Sequence, residues 1–218
     1  MATKTDICNL ALSLIGEELS TLTDANLTNG DTKVARTCNL HYDQTLEEVT
    51  RMHTWNCAKA RAELTVIDST VFGWNKEAPL PAACIRPIAL TTDSSYYRYL
   101  IFKTEWVIEG RTVRSNQGEN FLLYETVPTL ANMDALFMRA FYTLLAIKIC
   151  IPISGDRAIR TELIQEMESL IMPEARRVNG FEGYQSPIAD SEWLEATLIS
   201  STGGSTSWQA LSVGDIPM

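Results

Sequence analysis

Apolar side chains recur in the first part of the chain with the spacing of one helical face. Ile7, Leu10, Ala11, Leu14 and Ile15 stand at i, i+3, i+4, i+7 and i+8, behind Thr3 and Thr5 as capping hydroxyls and ahead of Gly16 as a stop. This pattern predicts a short helix over about residues 4–15. Residues 17–29 are rich in Thr, Asn, Asp and Ser, carry no apolar period and end on Asn29-Gly30, which predicts a loop. Asp31 then caps a long second helix over about residues 31–54. Its stripe is Val34, Cys38, Tyr42, Thr45, Val49 and Met52, with Lys33, Arg36, Asp43, Glu47 and Arg51 mostly elsewhere.

The period then changes. Glu63-Leu64-Thr65-Val66-Ile67 is rich in β-branched residues, and Pro79, Pro81 and Pro87 exclude a long helix. Tyr96-Tyr97-Arg98-Tyr99-Leu100-Ile101-Phe102, Trp106-Val107-Ile108 and Phe121-Leu122-Leu123-Tyr124 have strand composition, and Glu109-Gly110 or Asn116-Gln117-Gly118 supplies turn chemistry. Three or four short antiparallel strands follow for a β-rich module over about residues 60–128, closed by Pro128. Asn132 caps a third helix, residues 132–151, that is apolar over much of its circumference and so belongs at the centre of the core. After a break at residues 151–155, Ile159, Leu163, Met167, Leu170, Ile171 and Ala175 mark a fourth helix over residues 155–178, with Pro173 as its kink or end.

These elements predict a mainly α fold: a helical bundle with an inserted small antiparallel β module in one domain, residues 1–179, followed by an extended acidic C-terminal tail, residues 180–218. Trp55, Leu136, Phe137, Phe141 and Leu144 are the expected core. In the tail, Ser, Thr and Gly surround isolated apolar residues, and Tyr184, Trp193, Leu194, Leu198, Ile199 and Trp208 are the candidate anchors on a partner surface.

Length and composition agree with one folded domain, since 218 residues at 45% apolar content can bury one sizeable core. The net charge of −9 argues against a protein that grips nucleic acid through its phosphates. No Lys or Arg follows Arg177, while Glu182, Asp190, Glu192, Glu195 and Asp215 do, so the C-terminal end is purely acidic. Five scattered cysteines read as reduced core residues. The N-terminus shows no secretory signal, and residues 141–153, interrupted by Lys148 and Pro152, are too short to cross a bilayer, so a cytoplasmic site of synthesis and no membrane partner are expected.

Candidate chemistry is thin. Cys38 and His41 share a helical face at i, i+3, but a core thiol beside a surface imidazole explains them better than a metal site. Cys57 and His53 offer a nucleophile and a base without an orienting third residue. The carboxylate pairs Glu17-Glu18, Glu47-Glu48 and Glu166/Glu168 read as solvated helix faces. No Gly-rich phosphate loop, nucleophile elbow or dinucleotide fingerprint occurs, so no catalytic residue, metal or cofactor is assigned.

Several short motifs follow one another along the chain: Ala-Leu-x-x-Ile/Leu-Gly-Glu at residues 11–17, Ala-Arg-x-Cys-Asn-x-x-Tyr-Asp at residues 35–43, Glu-Val-x-Arg at residues 48–51, and Trp55-Asn56-Cys57-Ala58. Their order resembles the tail tubular protein A family, the head-to-tail adaptors of short-tailed bacteriophages. Gly73-Trp74, Leu80-Pro81, Cys84-Ile85-Arg86 and Val107-Ile108-Glu109-Gly110 continue the similarity, which covers roughly residues 5–178. Thr54 stands where the family often has Pro, and the match fades past Gly180. The resemblance implies a non-enzymatic virion protein, made in the host cytoplasm, that forms a dodecameric ring with copies of itself. Such a ring would sit between the portal protein and the tail nozzle protein, with DNA as passing cargo. The alternative from another class is a small cytoplasmic helical enzyme or regulator whose site carries no familiar motif.

Overall fold

A computed structural model describes residues 3–17, 22–30, 32–91, 105–116, 118 and 120–182. All of them fall in the first of the two units into which the chain divides, Met1–Gly183. Of the expected tail only residues 180–182 are described, and Gly180 and Phe181 still belong to the last helix; its six candidate anchors lie outside the described residues, as does the strand expected at residues 96–102.

Local capping chemistry sets the helix starts. Helix α1 (Lys4–Leu14) opens on a capping box, in which the Thr3 hydroxyl accepts from the Asp6 amide at 3.1 Å and the Asp6 carboxylate accepts from the Thr3 amide at 2.8 Å. Helix α2 (Asp24–Asn29) occupies part of the expected loop. Thr23 caps it, and Gly30 ends it at a φ of +66°. Helix α3 (Lys33–Met52) is capped by Thr32, one residue later than expected. Helix α4 (Ala135–Ile153) is capped by Asp134, while the Asn132 amide closes a turn onto the Thr129 carbonyl. It runs through Pro152 and stops at Ser154 and Gly155, the latter at a φ of +73°.

The last helical stretch is continuous but not uniform. It comprises α5 (Arg157–Glu166), a π-helical segment (Met167–Ile171) and α6 (Met172–Phe181). Pro173 neither ends nor breaks it. A proline inside a helix lacks a donor and crowds the carbonyl four residues back, and here the turn before it is widened: the Met172 amide reaches back five residues to Met167. The extra residue also turns the face, so Met167, Ile171, Met172 and Ala175 are buried while Leu170 is 51% exposed.

The expected mainly helical bundle is corrected here. Among the described residues about 52% are helical and 19% are in strands, and the strands form two antiparallel sheets of three and four members. This is a mixed α and β architecture. The first sheet has the order β1 (Lys59–Glu63), β7 (Phe121–Glu125), β4 (Arg86–Thr91). The second has the order β2 (Ile67–Asp68), β3 (Lys76–Pro79), β6 (Thr112–Ser115), β5 (Trp106–Glu109). Glu109 pairs with Thr112 across a two-residue turn that needs Gly110 at a φ of +64°. Ala60, Ala62, Leu90, Leu122 and Tyr124 of the first sheet share a small core with Ala78 and Val113 of the second.

The larger core is helical. Helix α4 packs against α1, α3 and α5. It has the length and apolarity of a membrane span, at 19 residues and a mean hydropathy of 1.7, yet half of that window is buried against its neighbours. Phe137 and Phe141 are fully buried, Leu144 nearly so, and Leu136 only partly. Tyr42 of α3 meets Phe141 edge-on at 5.0 Å. Phe141→Ala should therefore cost about 3–5 kcal/mol, whereas Leu170→Ala should stay within about 0.5 kcal/mol. Urea unfolding of the two variants checks the contrast, and equal losses would contradict the assigned faces.

Candidate functional site

The two cores meet where α3 gives way to β1, and a dense set of polar bonds lies there. Helix α3 stops because His53 is extended (φ −151°, ψ 155°). Two residues later Trp55 turns inward, 2% exposed, and its indole N–H donates to the Val49 carbonyl at 2.8 Å. That carbonyl is one of the last four of the helix, which have no partner within it, so the tryptophan caps the helix while filling the core. Its ring lies edge-on to Phe137 at 5.1 Å and to His53 at 5.2 Å. Trp55 thus lies in the helical core, at the point where α3 gives way to β1.

Around Trp55, four segments remote in sequence are bonded together. Asn179 of α6 donates to the Thr54 carbonyl at 2.7 Å and to His53 Nε2 at 3.0 Å, and its Oδ1 accepts from the Asn56 amide at 2.8 Å. Asn56 donates in turn to the Asn179 carbonyl at 2.9 Å and to Glu182 at 3.3 Å, and accepts from Lys59 at 2.7 Å. On the sheet side, Glu125 of β7 is completely buried. Arg86 of β4 holds it with two bonds, Nε to Oε2 at 2.8 Å and Nη2 to Oε1 at 3.0 Å, and gives a further bond to the Thr54 hydroxyl at 2.5 Å.

Electrostatics at this junction are set mainly by burial. Burial pushes the Glu125 carboxyl above its usual range, against the opposing pull of Arg86 and of the Trp55 amide that also bonds to it. Burial likewise lowers His53, helped by the positive charges of Arg176, Arg86 and Lys59. With Asn179 donating to it, Nε2 of His53 acts as an acceptor and the ring proton sits on Nδ1. Burial raises the Cys57 thiol above its usual range.

The other chemical candidates resolve similarly. Cys38 faces the buried Cys8, and the bond between the two thiols together with burial pushes Cys8 well above the usual thiol range. Glu48 pairs with Lys148 of α4, and Glu166 with Arg139 at 3.1 Å, so these carboxylates tie helices together. No group of three or more His, Cys, Asp or Glu is arranged to hold a metal among the described residues. A cleft of about 360 Å³ opens beside the junction, lined by Arg51, Cys84 and Arg111 among others. Its Arg111 is spent on the carbonyls of Pro81 at 2.6 Å and Ala82 at 3.2 Å.

Compared with known proteins, the chain matches no protein-family model and no curated protein. The motifs noted in the sequence can nevertheless be placed. Ala11, Ala35, Cys38, Tyr42, Trp55 and Ala58 are all buried in the helical core, and Asn56 and Arg86 supply the junction's bonds. Glu125 and Asn179 escaped the sequence reading. Each lies far along the chain from its partners, and nothing local distinguishes them from surface residues.

A buried carboxylate stripped of its partner is strongly destabilising, by about 3–5 kcal/mol. Arg86→Met should show a loss of that order at pH 8. Without Arg86 the folded-state pKa of Glu125 rises further above its unfolded value, so the carboxyl suits the folded state when protonated. The deficit should shrink on acidification and grow as pH rises through that raised pKa. Urea titrations at pH 5 and pH 8 check this, and a deficit independent of pH would contradict it.

Proposed function

We propose that this chain is a non-enzymatic structural subunit of a virion, a ring-forming adaptor that joins the portal protein to the tail nozzle protein and forms part of the DNA channel. The observation that carries the reading is where the adaptor-like motif residues fall. They converge on the packed helical core and on the junction that locks helices to sheets, as expected of residues kept for building a rigid spacer.

Charge adds support. A chain of net charge −9 repels phosphates, which suits a conduit through which duplex DNA slides without binding. For ring contacts we assign the mixed-charge outer faces of α3 (Lys33, Arg36, Asp43, Glu47) and of the α5–α6 stretch (Arg160, Glu162, Glu168, Arg176), all exposed. The tail anchors Tyr184, Trp193, Leu194, Leu198, Ile199 and Trp208 are assigned to docking on a partner, because a segment without Lys or Arg suits a basic or neutral groove.

Electron micrographs of the full chain mixed with portal particles test the reading. The expected result is an added ring of density under the portal, reduced when the chain ends at Gly183 although that shorter chain keeps its unfolding midpoint. Bare portals and persistent monomer would remove the adaptor reading.

A further inference from the structure

The β2–β3 hairpin carries a feature that its own fold does not use. Its loop is tied down by the Ser69 amide on the Asn75 carbonyl at 2.9 Å, the Val71 amide on the Ser69 hydroxyl at 3.2 Å, and the Asn75 amide on Asn116 Oδ1 at 3.2 Å. Below it Lys76 and Asp68 pair at 2.6 Å. At the tip of this braced loop Phe72 is 99% exposed, with Val71 at 39% and Ile67 at 52% beside it. A scattered surface leucine needs no explanation, but a bare phenyl ring on a loop held by its own bonds is shaped as an anchor.

A receiving surface of matching chemistry exists elsewhere on the same chain. Where α4 turns into α5, a cleft of about 340 Å³ is lined by Ile151 and Ile164 on its apolar side and by Arg157, Arg160 and Thr161. Ile151 is 38% exposed, and neither arginine pairs with an acid among the described residues. Guanidinium groups bordering an aliphatic floor suit an aromatic face, through cation–π attraction as well as burial.

We infer that the Phe72 hairpin of one copy inserts into the Ile151/Ile164 cleft of the next, with Arg157 or Arg160 over the phenyl ring. Phe72 is 99% exposed, so none of the described residues of its own subunit receives it. Two different surfaces meeting in this way form a heterologous contact, which repeats from copy to copy and closes as a ring when the rotation allows. The inference rests on the ring reading above and names a contact within it. One ring in one cleft is far smaller than the roughly 1,200–2,000 Å² of a stable interface, so the contact is weak between free subunits and gains strength when many copies are held together.

The test uses the full chain with Phe72→p-benzoylphenylalanine, irradiated at the highest soluble concentration as an equal mixture of isotopically heavy and light protein. The expected product is a ladder of dimers and higher species whose heavy–light junctions map to residues 151–164. Arg160→Glu should cut the ladder at least tenfold with the helical spectrum unchanged, and Arg160→Lys should restore part of it. No ladder, junctions mapping elsewhere, a ladder indifferent to Arg160→Glu, or Phe72-dependent binding to zwitterionic vesicles in its place would each overturn the contact. A ladder alongside bare portals would keep the contact and remove the adaptor reading, whereas decorated portals without the ladder would do the reverse.

Discussion

Glu125 has no contact with water, and a carboxylate so placed is stable only while something answers its charge. Arg86 does so with two bonds, and because Arg86 also holds the Thr54 hydroxyl, the demand of one buried charge extends to the end of α3. Trp55 completes the link from the other side, capping α3 through Val49 and resting against Phe137 of α4. Asn179 then ties the far end of α6 to the same turn. A helical core and a small two-sheet core would otherwise touch through a short connection. This network gives them one relative placement.

A buried ion pair seldom adds stability over a well-packed apolar alternative, but mispairing it is costly. Its contribution here is specificity, since β7 and β4 cannot slip by a residue without stranding Glu125. Such a constraint suits a part whose work is to hold a fixed spacing between neighbours. The use of Glu48 and Glu166 to tie helices fits that reading.

Helices with long apolar periods were legible in the sequence: α1, α3, α4 and the α5–α6 stretch all form within a few residues of the expected bounds. Helix α2 was not, because six residues are too few for a period and only the Thr23 cap and Gly30 stop marked it. The strand content was underestimated for a related reason. Lys59–Glu63 reads Lys-Ala-Arg-Ala-Glu and Lys76–Pro79 reads Lys-Glu-Ala-Pro, compositions that favour no strand. They are strands because β7 and β6 offer them partners in register, a tertiary cause that no local window contains. Pro173 misled in the opposite direction, since the widened turn ahead of it accommodates the ring and the helix continues. Trp55 was expected in the core from its place at a change of period, and it lies in the helical one. Its companions Glu125 and Asn179 were not legible, because their bonding partners stand 39 and 123–126 residues away along the chain.

The most direct measurement is amide hydrogen exchange across the molecule in Trp55→Ala, read together with its urea midpoint. If Trp55 is the pin between the two cores, the variant loses about 3–5 kcal/mol and amides of both α4 and β7 exchange faster by comparable factors. Loosening confined to the helices, or an unchanged midpoint in a variant that no longer attaches to portals, would contradict the account and make Trp55 a contact residue.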